Sequence, residues 1–278
     1  KRAVAIDFQG TLPSEISFDD YPLDPKVPES IMGFPGVVNN QNVDGYRSIT
    51  VPGAVAGLSD AQQKYGKLGF DNVLKSAIDL AEQGLPVDWF TNLQISLTAV
   101  ELSKFKASSD VYLPFGFPPQ PEQVLKLGNL KKTLRSLAEN GPDEFYRGSI
   151  ANELVTDLNE GGSRITLEDL HNYIPLESEP LRGKHRGHDL YTPGVTSGGQ
   201  RLNEALEYVE KNLNYSDPFG ANTYISYAKG LNKAFKSHKE KLGRTINYGC
   251  TSHMSTVDSE GNMVSLTYAI GDRWRNDQ

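Results

Sequence analysis

Residues 250–271 read CTSHMSTVDSEGNMVSLTYAIG and contain the clearest secondary-structure pattern in the chain. From Met263 to Gly271, large apolar side chains alternate with small or polar ones, which predicts a half-buried β-strand. The DSEGN run before it has the composition of a tight turn, and Thr256 and Val257 are β-branched, as expected of a preceding strand. The pattern therefore predicts a β-hairpin, with Thr251 near the start of its first strand.

Thr251 gains a chemical role if the peptide bond between Cys250 and Thr251 is cut. A threonine hydroxyl is a poor nucleophile in water and needs a base within hydrogen-bond reach. A terminal α-amine titrates at about 7.7 to 8.0, so it can accept the hydroxyl proton of its own residue. The same hydroxyl could attack the Cys250 carbonyl and make the cut. The hairpin pattern alone favours an ordinary strand threonine, and a cut one residue earlier would instead make Cys250 the terminal nucleophile.

Several segments resemble one enzyme family. TSHMSTVDSEGNMVSLT at 251–267 resembles the start of the small subunit of the γ-glutamyltransferases. Four more segments resemble that family in the same order: VPGAVAGL at 51–58, NGPDEFYRG at 140–148, ITLEDL at 165–170 and SGG at 197–199. The resemblance covers nearly the whole chain, from Val4 to about Ile270.

The resemblance implies an N-terminal nucleophile hydrolase of the α+β class, folded as a four-layer αββα sandwich. Thr251 would be the nucleophile, its freed amine the general base, and Cys250 the last residue of the large subunit. Residues 1–250 would be part of the large-subunit region and 251–278 the start of the small-subunit region, in one intertwined domain. The implied reaction cleaves γ-glutamyl amides such as glutathione and passes the acyl group to water or an amine, with no metal or organic cofactor.

Three positions depart from the family pattern and are the candidate substrate-binding residues. Gln9 stands where the family usually has an arginine for the substrate carboxylate, and this change typically loses about 1.5 to 3 kcal/mol of charge-assisted bonding. Ala269 and Gly271 replace a threonine and an asparagine of many members. We therefore keep two alternatives: a related amide acylase with other acyl specificity, and a binding homologue that never cuts itself.

Composition limits the other possibilities. The chain has 278 residues, 37% of them hydrophobic, and a net charge of -7, which argues against a nucleic-acid surface. No run approaches the roughly 20 apolar residues of a membrane-spanning helix. The single cysteine excludes an intrachain disulfide, and the sequence indicates no compartment. By the resemblance, the oxyanion-hole diglycine and a substrate-binding serine pair lie downstream of Gln278, so we expect a piece of a longer precursor.

Coarser patterns predict the remaining elements. Helices are expected at 70–83, 87–106, 121–138, 142–158, about 202–213 and 222–241, a long loop at 14–48, and strand character at 181–191. The first helix is expected to bury Val73, Ala77, Leu80 and Ala81, and the helix near 202 to carry a stripe of Leu202, Leu206, Val209 and Leu213.

Three further features could carry a function. His185 and His188 lack the third ligand of a zinc site, so no metal is predicted. His253 is expected to pack or orient the nucleophile strand rather than act as an acid or base. Ser197-Gly198-Gly199 could bind an anion through backbone amides, but the pattern favours a helix cap.

Overall fold

The structure, a computed structural model, describes residues 2–29, 35–194, 197–213, 217–242 and 252–268. The chain divides into two compact units. Unit one comprises residues 1–9 and 174–247, and unit two comprises residues 10–173 and 248–278. Cys250, Thr251, Ala269 and Gly271 lie outside the described residues.

The described chain combines α-helices with short antiparallel strands. The helices are α1 (Ala54–Tyr65), α2 (Phe70–Gln83), α3 (Trp89–Leu97), α4 (Ala99–Ser103), α5 (Lys106–Tyr112), α6 (Leu130–Asn140), α7 (Asp143–Tyr146), α8 (Ser149–Glu160), α9 (Leu167–His171), α10 (Gly199–Asn212) and α11 (Ala221–Leu242). The strands are β1 (Ala5–Asp7), β2 (Leu85–Pro86), β3 (Val124–Leu125), β4 (Leu176–Ser178), β5 (Leu181–His185), β6 (His188–Thr192), β7 (Ser252–Val257) and β8 (Met263–Tyr268). They pair as β1–β4, β2–β3, β5–β6 and β7–β8, each pair antiparallel. The mixed α and β composition agrees with the predicted class.

Unit one contains the β1–β4 sheet, the β5–β6 hairpin and the helix pair α10 and α11. These helices approach closely at Gly230, where a Cβ atom would lie 3.0 Å from the Ala205 carbonyl oxygen. The β5–β6 hairpin lies against α10, and the Asn203 amide donates to the Thr192 hydroxyl at 3.3 Å. Its two-residue turn has positive φ at Arg186 (51°) and Gly187 (79°), the geometry that tight hairpins favour. The strand character predicted at 181–191 is therefore two strands.

Unit two has two apolar clusters. The first contains Val51, Tyr146, Ala151, Leu158, Ile165 and Leu170, all buried. The second contains Val87, Ile95, Leu113 and Leu125, which come from the α3–α5 region and from β3. The first cluster includes residues from the segments at 51–58, 140–148 and 165–170 that resemble the family.

Three predicted helices are interrupted or begin later than expected. The helix predicted at 87–106 breaks at Thr98 (φ -114°, ψ 11°), whose hydroxyl donates to the Gln94 carbonyl at 3.0 Å. The one predicted at 142–158 breaks before Ser149, whose backbone N–H donates to the Glu144 carboxylate at 3.0 Å. The one predicted at 121–138 begins only at Leu130, because β3 occupies Val124–Leu125 and pairs with β2.

For α2 the predicted bounds are right, and the predicted buried face is wrong. The prediction for α2 is confirmed at both ends, but Val73 and Leu80 are 49% and 60% exposed. Ala77 is exposed as well, and after the first residue of the helix those with the least exposure are Leu74, Ile78 and Ala81, an i, i+4, i+7 row along one face. Helix α2 packs against α6. In α10, Val209 is buried as expected and Leu202 is exposed.

Candidate active site

The predicted hairpin is confirmed as β7 and β8. Its register runs from the pair Ser252 and Tyr268 to the pair Val257 and Met263. Because side chains alternate along a strand, one face carries Ser252, Met254, Thr256, Val264, Leu266 and Tyr268. The opposite face, here called the hydroxyl face, carries His253, Ser255, Ser265 and Thr267, with Val257 and Met263 at its turn end.

The predicted half-burial of this hairpin is wrong for the described chain. All of β7 is exposed, and Leu266 is the one residue of β8 that is partly buried. Val264 and Tyr268 keep 62% and 50% of their surface open. The alternation predicted the strand correctly, whereas burial depends on what packs against the apolar face.

A carboxylate organises the turn between the strands. Asp258 accepts hydrogen bonds from the backbone N–H groups of Glu260 (2.9 Å) and Asn262 (2.8 Å) and from the Asn262 side-chain amide (2.8 Å). The Asn262 side chain and then its backbone N–H lower the pKa of Asp258 below its ordinary 3.8. Gly261 completes the turn with φ of 74°.

The His253 ring joins three hydroxyl groups on the hydroxyl face. Its Nδ1 lies 2.7 Å from Thr267 Oγ1 on the facing strand. Its Nε2 lies 3.1 Å from Ser265 Oγ across the hairpin and 3.1 Å from Ser255 Oγ on its own strand. The hydroxyl residues are visible in the sequence, but their convergence on one ring depends on the register.

One of the five predicted site residues is described. Gln9 belongs to unit one, is exposed, and donates its backbone N–H to Asp7 Oδ1 at 3.1 Å. Cys250, Thr251, Ala269 and Gly271 flank the described hairpin and lie outside the described residues, so their roles stay predictions.

Three of the four upstream segments that resemble the family lie in unit two. The Tyr146 hydroxyl donates to the Pro52 carbonyl at 2.9 Å and accepts from the Ala56 N–H at 3.0 Å, which ties the 140–148 segment to the start of α1. Thr166 and Asp169 form a capping box at the start of α9.

The fourth segment, residues 197–199, lies in unit one, and Gly198 is the N-cap of α10 without a side-chain cap bond. The Ser197 hydroxyl accepts the Gly199 N–H at 3.2 Å at the first residue of α10.

The histidines considered for a metal do not form a set of metal ligands among the described residues. His185 Nδ1 lies 3.1 Å from Glu210 Oε2. In the part of the chain that the structure describes, no three His, Cys, Asp or Glu residues are grouped to hold a metal ion. Among the same residues, no helix is long and apolar enough to cross a membrane.

Residues 1–243 match the family model described as Gamma-glutamyltranspeptidase, so the chain belongs to that family. It is 29% identical to the glutathione hydrolase proenzyme of Escherichia coli (strain K12), across 96% of this chain and 52% of that protein. It is 28% identical to the Acylase ACY 1 proenzyme of Pseudomonas sp. (strain SE83), across 84% of this chain and 49% of that protein. The chain thus spans about half the length of these curated relatives.

The fold is also similar to a solved structure. The crystal structure of Helicobacter pylori gamma-glutamyltranspeptidase matches with a TM-score of 0.77 at 25% identity, over 86% of this chain and 67% of that chain.

Proposed function

We propose that this chain belongs to a self-processing γ-glutamyltransferase-like enzyme with Thr251 as its nucleophile. The observation that carries the proposal is a hairpin whose first strand, Ser252–Val257, begins directly after Thr251 in a chain of this family. The Escherichia coli relative is named a proenzyme and a glutathione hydrolase, which supports both the self-cleavage and the substrate class.

Self-cleavage would proceed by an N-to-O acyl shift. Thr251 Oγ1 attacks the Cys250 carbonyl carbon, an ester bond forms, and the amide bond to the Thr251 nitrogen breaks. Water then hydrolyses the ester. The products are a carboxylate on Cys250 and a free amine on Thr251.

Turnover would use the freed amine as the general base. The amine takes the hydroxyl proton while Oγ1 attacks the γ-glutamyl carbonyl, and then gives that proton to the departing amine. The γ-glutamyl ester on Thr251 passes its acyl group to water or to an acceptor amine. No metal or organic cofactor takes part in these steps.

We place the hairpin in an inner layer of a four-layer αββα sandwich in the full-length protein, in agreement with the similarity to the Helicobacter pylori enzyme. Residues 1–250 then belong to the large-subunit region and 251–278 to the small-subunit region. Gln9, Ala269 and Gly271 stay the candidates that shape the substrate side of the site.

A second candidate function is an amide acylase with another acyl group. The neutral side chain of Gln9 and the similarity to an acylase proenzyme both support it. Turnover of glutathione, measured beside turnover of a simple acyl amide, separates the two. A strong preference for glutathione rejects the acylase, and turnover of the simple amide alone rejects the γ-glutamyl substrate.

The nucleophile is tested by N-terminal sequencing of the purified full-length protein and of two variants. The wild-type protein and Ser252→Ala, a matched loss of the neighbouring hydroxyl, should both yield a polypeptide starting at residue 251. Thr251→Ala should stay uncut and inactive. An uncut wild-type protein supports the binding homologue instead, and a cut Thr251→Ala variant rejects the mechanism.

A further inference from the structure

The hairpin that begins directly after Thr251 buries little side-chain surface in the described chain, so burial contributes little to its register. All of β7 is exposed, and β8 has one partly buried residue. Register is weakly specified in a two-stranded ribbon without a buried face, and a slip of one residue moves every side chain to the other face. The Asp258 turn fixes the pairing at one end of the hairpin, and bonds between the strands can fix it at the other end, next to Thr251.

His253 makes bonds that exist in one register. Its ring reaches its direct cross-strand partner Thr267 and the diagonal residue Ser265. A slip of one residue in either direction would place Leu266 or Tyr268 opposite His253, and neither offers a hydroxyl at the same position. The ring and its partners thus distinguish the observed register from its neighbours.

The cluster tolerates either charge state of the ring. A neutral imidazole has one donor and one acceptor nitrogen, and an imidazolium has two donors. The partners Ser255, Ser265 and Thr267 are hydroxyls, each able to donate or accept. The three contacts can therefore persist whether or not the ring carries a second proton.

We propose that His253 is a positioning residue for the nucleophile, acting through its bonds to Thr267, Ser265 and Ser255 to hold β7 in register. This inference rests on the proposed function of Thr251. Attack by an oxygen depends on its placement, and a shift of about 1 Å can cost about a hundredfold in rate. The register of the strand that begins one residue later sets that placement.

The test measures the self-cleavage rate of the full-length precursor, and kcat and KM of the mature enzyme. His253→Ala should lower the cleavage rate and kcat by about tenfold to a hundredfold, with KM changed less than about twofold. His253→Asn should restore most of the rate, because an amide can keep the contact to Thr267.

A matched pair of threonine variants controls for fold and for hydroxyl loss. Thr267→Val removes the 2.7 Å partner of His253. Thr256→Val removes a hydroxyl from the opposite face of the same exposed hairpin. The Thr267→Val variant should cleave itself and turn over substrate about fivefold more slowly or worse, whereas Thr256→Val should match the wild type. The double variant His253→Ala with Thr267→Val should be no slower than His253→Ala alone, because both changes remove the same interaction.

The outcomes separate this inference from the proposed function. If the wild-type protein is cut and Thr267→Val and His253→Ala behave like Thr256→Val, the positioning role is wrong and Thr251 keeps its role. Failure of the asparagine variant to restore activity, or additive losses in the double variant, also rejects the role. If the wild-type protein stays uncut, the proposed function is wrong, and the positioning role of His253 is rejected with it.

Discussion

Tyr146 shows how one side chain can join segments about ninety residues apart in the chain. Its hydroxyl satisfies both a carbonyl and an N–H at the first turn of α1, and its ring stacks on Tyr173 at 5.9 Å within the first apolar cluster. A free N–H at a helix start must find a partner, so a buried hydroxyl there has a structural role. In this chain, Tyr146 therefore has a structural role in the 140–148 segment.

Tyr146→Phe should destabilise unit two by about 1 to 3 kcal/mol, because it leaves the Pro52 carbonyl and the Ala56 N–H without their partner. Urea unfolding measures the loss. Tyr268→Phe, at a half-exposed tyrosine of β8, is the control and should change stability by less than about 0.5 kcal/mol. Equal effects of the two changes would contradict the structural role of the Tyr146 hydroxyl.

The same hydroxyl should make stability depend on alkaline pH. Burial raises the pKa of Tyr146 from 10.0 to about 12, so the unfolded chain loses this proton first as pH rises. The stabilisation is complete below about pH 10 and is lost as pH rises through about 12. The difference in urea midpoint between the wild type and Tyr146→Phe should therefore shrink over that range.

At the level of single elements, the β7–β8 turn depends on Asp258. Asp258→Ala removes the acceptor of two backbone N–H groups, so amide hydrogen exchange at Glu260 and Asn262 should quicken by about fivefold to tenfold. Glu260→Gln removes a carboxylate from the same turn but keeps the Asp258 bonds, and it should leave Asn262 protected. Unchanged exchange in Asp258→Ala would show that Gly261 and the strands hold the turn without it.

The Asp258 bonds also predict a response to acid. Because its folded pKa lies below the ordinary 3.8, the turn is stabilised above that value, and the effect is lost as pH falls through the folded pKa. The amide resonances of Glu260 and Asn262 should shift with a midpoint below pH 3.8. A midpoint at or above 3.8 would contradict the bonding seen here.

Residue patterns within a segment predict some helix and strand bounds well, and they fail where contacts with residues distant in the sequence determine the bounds. Gly69 and Gly84 flank α2, and both of its ends were predicted. The break after α4 was not predicted, because Phe105 leaves the helix where its ring packs edge-on against Tyr46, far away in the sequence. The hairpin followed from alternation and a turn signal, but its exposure and the contacts of His253 required the pairing itself.

For the whole molecule, the proposed cut would pass through a compact unit rather than between two units. Unit two contains residues 10–173 and 248–278, so α1–α9 and the β7–β8 hairpin would fall on different products. A visible link between them is the ion pair of Lys67 and Glu260 at 3.1 Å, whose side chains are largely exposed. Exposed pairs contribute little and are screened by salt, so this pair alone cannot hold the products together.

We therefore expect the cut protein to elute as one species in gel filtration while giving two bands on a denaturing gel. About 1 M NaCl should leave the elution unchanged, because in the proposed four-layer sandwich of the full-length protein the products are joined by packing between layers rather than by surface charge. About 6 M urea should separate them. Thr251→Ala supplies the uncut reference, with one band and the same native elution.

Separation by salt alone would assign the association to exposed ion pairs, and separation in native buffer would show that the hairpin is not part of this unit in the processed protein.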